Sequence, residues 1–159
     1  MAIAYFHEMQ SKVIHKDIKL ENILINKECF IQICDLGLSK ISDAPSVLDT
    51  TVGNNFYGTP LYMAPEISIF YEPVTTHSDV WALGCCIVEI FIETWTWTLS
   101  KPGLENLKNE ILKRKKPDLS KVPSALRGIF SAYFDHEPKR RPEASTLLNT
   151  LKHFYKNDR

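Results

Sequence analysis

At 159 residues the chain has room for one domain with a real hydrophobic core, and its 44% apolar and 24% charged residues are the composition of a soluble globular protein. Nineteen basic side chains balance nineteen acidic ones, so overall charge points to no nucleic acid or other polyanionic partner. The balance hides a dipole: residues 1–98 hold 12 acidic and 5 basic side chains, net −7, and residues 99–159 hold 7 acidic and 14 basic, net +7.

Along the chain, Ile3, Phe6 and Met9 fall on one face of a helix, with Tyr5 widening the stripe. The pattern starts at the first residue without a cap, as though the helix began upstream. Two β-rich runs follow, Ile23–Ile25 and Phe30–Ile33, and the polar Asn26-Lys27-Glu28 between them predicts a small hairpin. Residues 35–63 are rich in Ser, Thr, Asp, Gly and Asn without periodicity, and so long an irregular segment is usually functional or disordered. From Ser78 to Ile92 apolar residues run nearly all round at helical period, predicting a helix buried at the centre of the domain. Leu104, Leu107, Ile111 and Leu112 form an amphipathic stripe ending in Lys113-Arg114-Lys115-Lys116. That basic run reads as a solvated helix end favoured by the helix dipole; the second reading is a nuclear-import signal. Pro123 fits the first turn of a helix carrying Leu126, Ile129, Phe130 and Tyr133, and Pro142 opens a last one with Leu147, Leu148, Leu151 and Phe154. With no repeat or linker, residues 1–159 read as one mainly α domain with a short β-hairpin.

Cys29, Cys34, Cys85 and Cys86 form no CxxC pair and do not alternate with histidines, so they read as reduced, mostly buried thiols. No secretory signal opens the chain, and the longest uncharged apolar run, Val80–Val88, is far short of a membrane span. A cytoplasmic or nuclear protein without a membrane partner is expected.

Chemistry is concentrated in four strings. His15-Lys16-Asp17-Ile18-Lys19-Leu20-Glu21-Asn22 sets an aspartate and an asparagine five residues apart. Asp35-Leu36-Gly37 follows eighteen residues after Asp17, a gap that two hairpin strands account for. Gly58-Thr59-Pro60-Leu61-Tyr62-Met63-Ala64-Pro65-Glu66 and Lys139-Arg140-Arg141-Pro142 complete the set. Taken singly, Asp17 or Asp35 is an ordinary solvated loop carboxylate. In this order the strings resemble the protein kinase family: the catalytic loop H-R-D-x-x-x-x-N, then D-F-G, then the activation-segment end G-T-x-x-Y-x-A-P-E.

The resemblance implies the C-terminal lobe of a serine/threonine kinase, a phosphotransferase from ATP to a hydroxyl of a protein substrate. Asp17 is implied to accept or orient that hydroxyl, Lys19 to set a cation beside the transferring phosphoryl group, and Thr59 to bond both. Asn22 and Asp35 are the implied Mg²⁺ ligands. Lys19, Asn22, Leu24 and Asp35 are the implied ATP-contacting set, with Leu24 as the floor of the adenine pocket. Asp79 is implied to hold the catalytic loop from behind, and Glu66 to form a buried ion pair with Arg141. His15 reads as structural, and Trp95 and Trp97 as filling the junction after the central helix.

Neither a G-x-G-x-x-G loop nor a V-A-I-K lysine occurs in the sequence. The expectation is therefore a chain without the N-terminal lobe, its hairpin face left for that lobe or a partner protein, and without turnover of its own. Lys16 stands where the family has arginine, and a point charge grips an activation-loop phosphate at Thr50, Thr51 or Tyr57 less well than a bidentate fork. Leu20 replaces proline and Leu36 phenylalanine, with bulk retained. The alternatives are a pseudokinase-like binding module or a truncated, non-functional fragment. The intact Asp17, Lys19, Asn22 and Asp35 favour the enzyme.

Overall fold

The computed structural model describes residues 2–41, 59–97, 99 and 104–157. Thr50, Thr51, Tyr57 and Gly58 lie outside the described residues. The helices are α1 (Ala2–Glu8), α2 (Pro65–Ser68), α3 (Thr76–Ile92), α4 (Leu104–Leu112), α5 (Ser124–Tyr133) and α6 (Ala144–Asn157). The strands are β1 (Val13–Ile14), β2 (Ile23–Ile25), β3 (Ile31–Ile33) and β4 (Lys40–Ile41).

Helix α3 is the axle of the molecule. Thr75 caps it: its hydroxyl accepts from the His77 amide at 3.3 Å, and its own amide donates to Ser78 Oγ at 3.2 Å. A run of buried residues from Ser78 to Cys86 then presents every face to protein, as the all-round apolar pattern requires. Around it pack Ile3 of α1, Leu107 and Ile111 of α4, Leu126, Phe130 and Tyr133 of α5, and Leu147 of α6. Gly84 packs tightly against the end of α5, since a Cβ there would sit 3.3 Å from both the Phe134 ring and Tyr133 Cβ. Among the described residues no helix is long and apolar enough to cross a membrane.

The hairpin forms between β2 and β3, with Ile23 opposite Ile33 and Ile25 opposite Ile31. Its turn is held by Asn26, whose Oδ1 accepts from the amides of Glu28 at 3.0 Å and Phe30 at 2.8 Å. Phe30 therefore belongs to the turn rather than to the strand. A second pairing, β1 with β4, is too short to show any periodicity in the sequence.

Element ends differ from the sequence pattern. Met9 lies past the end of α1 and Tyr5 faces solvent, so the buried stripe there narrows to Ile3 and Ala4. Pro123 is the N-cap of α5 rather than part of its first turn, and Pro142 precedes α6 by two residues. Leu112, at the last turn of α4, is 60% exposed. Trp97 does fill the junction after α3, stacked on Trp81 at 6.3 Å, but Trp95 is 54% exposed. Of the cysteines, Cys85 and Cys86 are buried, Cys34 is partly so, and Cys29 is exposed; all four are free thiols.

Candidate active site

The segment after β1 is held from beneath by one carboxylate. Asp79, buried on the first turn of α3, accepts from the His15 amide at 2.8 Å and the Lys16 amide at 3.0 Å. His7 of α1 donates its Nε2–H to the same carboxylate at 3.0 Å. These bonds hold Lys16 at φ 71°, in the left-handed region, immediately before Asp17. The fully buried His15 ring clamps the other side: its Nδ1 accepts from the Asp17 amide at 3.4 Å, and its Nε2–H donates to the Cys34 carbonyl at 3.2 Å. His15 is thus a spacer between the segments that carry Asp17 and Asp35.

On this platform Asp17 is the centre of a compact cluster. Lys19 Nζ lies 2.8 Å from Asp17 Oδ2 and donates to Thr59 Oγ1 at 3.1 Å. The Thr59 hydroxyl donates to Asp17 Oδ1 at 3.4 Å, closing a triangle across 42 residues of chain. Asn22 donates through Nδ2 to the Asp17 carbonyl at 2.8 Å and to its carboxylate at 3.1 Å. The bond from Asp17 is the main reason the Lys19 pKa stands above its ordinary value, against a smaller opposing effect of burial. Glu21 and Asp35 raise it further, so Asp35 lies within electrostatic reach of the same ammonium.

Asp35 arrives by way of the hairpin. After β3 the Cys34 amide donates to the Asn22 carbonyl at 2.9 Å, which sets the following residue beside Asn22. Asp35 takes a left-handed conformation, φ 62°, and its Oδ1 accepts from Gly37 N at 3.3 Å. The structure therefore brings together Asp17, Lys19, Asn22 and Thr59 by direct bonds, and Asp35 through its neighbour and its field. Leu24 sits apart on β2, its side chain 51% exposed on the hairpin face. A small cleft beside Asp17 is lined by Thr59, Tyr62, Met63, Ile67 and Val74, with Lys16, Ser78 and Asp79 adding polar wall.

The family model described as "Protein kinase domain" matches residues 1–153. The chain belongs to the protein kinase family. Among curated relatives, serine/threonine-protein kinase Nek4 of Mus musculus is 30% identical over 149 residues, covering 93% of this chain and 18% of that protein. Serine/threonine-protein kinase Nek3 of Oryza sativa subsp. japonica is 32% identical over 154 residues, covering 93% and 24%. Dual specificity protein kinase shkC of Dictyostelium discoideum is 30% identical over 155 residues, covering 96% and 30%. The chain spans no more than 30% of the length of any of these three.

Two features of this kinase chain escaped the motif reading. His7 completes the Asp79 node, and nothing in its sequence neighbourhood marks it. Glu89 is the second: its Oε2 accepts from the Tyr62 hydroxyl at 2.7 Å and its Oε1 from the Thr96 amide at 3.0 Å. Tyr62 ends the turn that begins just after Thr59, so Glu89 anchors the wall of the cleft to α3. A signal for it did exist, as Glu89 is the one acid in the otherwise apolar stretch from Val80 to Ile92.

Proposed function

We propose that the chain is the C-terminal lobe of a serine/threonine protein kinase and transfers phosphoryl from ATP to a protein hydroxyl once a second lobe completes the nucleotide site. The observation that carries this is the bonded set of Asp17, Lys19, Thr59 and Asn22 around one carboxylate. Such a carboxylate can orient an alcohol and take up its proton, while the Lys19 ammonium, held charged, offsets negative charge on a phosphoryl group beside it. Thr59 would fix the wall against which the acceptor lies.

The donor set fits Mg²⁺. Both amide hydrogens of Asn22 are turned to Asp17, which leaves Oδ1 as the atom it can offer, and Asp35 adds a carboxylate. Two hard oxygen donors suit an ion that keeps phosphate oxygens and water as its other ligands. When bound, the ion would neutralise charge on the phosphates; Asn22 and Asp35 would hold it, and Lys19 would add a second contact to ATP.

Leu24, Ile25, Phe30 and Ile31 expose large apolar side chains on the hairpin, with Leu36 exposed just beyond it. We assign that face to a second lobe, supplied by the same protein or a partner, with Leu24 as the floor of the adenine pocket beneath it.

A phosphate-incorporation assay tests the reading. The 159-residue chain alone is expected to be inactive and to bind Mg·ATP no better than about millimolar, because phosphoryl transfer rests on positioning by both lobes. Adding a kinase N-terminal lobe in trans, or joining one to the chain, is expected to give activity that Asp17→Asn abolishes and Lys19→Ala lowers about 10²–10³-fold. Activity of the isolated chain that is lost on Asp17→Asn overturns the need for a second lobe. Failure of every supplemented form overturns the enzyme and favours a binding module.

A further inference from the structure

We propose that the turn after α4 is a docking site for an acidic polypeptide segment, separate from the Asp17 cluster and independent of phosphoryl transfer. Helix α4 closes with the Arg114 amide donating to the Ile111 carbonyl at 2.8 Å and the Lys115 amide to the Glu110 carbonyl at 3.2 Å. That closure requires a left-handed residue, usually glycine, yet Arg114 occupies it at φ 57°. The turn thereby spreads four consecutive cations around a corner instead of stacking them along a helix.

Their partners are unequal. Lys113 and Lys115 share the Glu110 carboxylate. Lys116 Nζ donates to the Ser131 carbonyl at 2.7 Å and is pinned against α5. Arg114 has no acidic partner among the described residues. His136 backs the cluster, its Nε2–H donating to the Lys115 carbonyl at 3.2 Å. Its pKa is lowered, chiefly by burial, with Arg114, Lys116 and Arg141 adding to the effect, so these cations share one field. Residues 110–121 carry five basic and two acidic side chains, within the net-positive stretch 99–159 of the sequence. Exposed Leu112 adjoins the turn and offers an apolar contact. A guanidinium without an acidic partner among the described residues, beside an exposed leucine, suits a carboxylate-rich segment that also carries an apolar side chain. No exposed aromatic interleaves the cations, as stacking on nucleic-acid bases needs.

The test is titration of the ¹⁵N-labelled 159-residue chain with a synthetic Glu/Asp-rich peptide bearing one leucine. Shifts confined to the end of α4 and to His136 are expected, weakening steeply with salt. The doubly reversed Arg114→Glu, Lys116→Glu chain should bind about tenfold or more weakly. Arg114→Gly separates docking from folding: it should melt no lower than the parent, because the strain is relieved, and still lose binding. The proposal is overturned if Arg114→Gly binds as well as the parent, if the shifts map elsewhere, or if duplex DNA or anionic vesicles bind more tightly than the peptide.

Discussion

Glu66 and Arg141, 75 residues apart, meet through two bonds of 2.7 Å with each residue only 3% exposed. Arg141 also donates to the Asp135 and His77 carbonyls at 2.8 and 2.9 Å and lies 4.9 Å over the Trp81 ring. Ser78 adds a bond of 2.9 Å to Glu66, which ties the pair to the cap of α3. Truncating one partner strands a buried charge, so Arg141→Ala is expected to cost ~3–5 kcal/mol, measured by urea unfolding. Replacing both by apolar residues of matching volume should cost much less, because the same desolvation penalty is then never incurred. The Tyr62–Glu89 bond follows a milder version of the rule. Tyr62→Phe leaves a buried carboxylate oxygen without its donor, an expected loss of about 1–3 kcal/mol in the same measurement.

Helix α3 shows how one position can oppose its own propensity. Alanine is worth up to about 1 kcal/mol over glycine within a helix, so an exposed Gly→Ala change would stabilise. At Gly84 the new methyl would press on the Phe134 ring and on the Tyr133 Cβ, and the second of these is fixed by the backbone of α5. Gly84→Ala is therefore expected to destabilise by about 1–2 kcal/mol net, seen as a lower melting temperature. The hairpin is the opposite case, an element whose apolar side chains are bare. Ile31 is 65% exposed, so Ile31→Lys should leave stability within about 0.5 kcal/mol. If the hairpin face is the main apolar patch, the same change should reduce the binding of a hydrophobic dye; unchanged dye binding would place the patch elsewhere.

At the scale of the whole molecule, two histidines make stability depend on pH. His77 is held below its ordinary pKa of 6.5 first by burial and then by Arg141, and His136 first by burial and then by its cationic neighbours, against one bond to a carbonyl. The folded state thus takes up these protons later than the unfolded chain does. Their contribution is fully present above the unfolded pKa and is lost as pH falls from about 6.5 toward the folded values. The melting temperature should drop between pH 7 and pH 5, and by less in His77→Gln and His136→Gln. An unchanged slope in both variants would assign the acid sensitivity to other groups.

What the sequence settled by itself is whatever local chemistry dictates. The all-round apolar run could only be a buried helix, and Asn26 at the turn between two β-rich runs could only favour a hairpin. Four short strings in fixed order were enough for kinship, because together they repeat one family's residue types at that family's spacings over most of the chain. Tertiary structure decided what spacing cannot encode. Whether Thr59 reaches Asp17, which acid receives Tyr62, and that His7 supports Asp79 all depend on how separate elements approach one another. The same holds for Leu112 and Trp95, apolar residues that the pattern placed inside and packing left in water. A helical or alternating period reports which residues share a face, but the width of the buried stripe is set by the neighbour that covers it. At the end of α4 Leu112 is left exposed, and the chain turns there on a left-handed arginine.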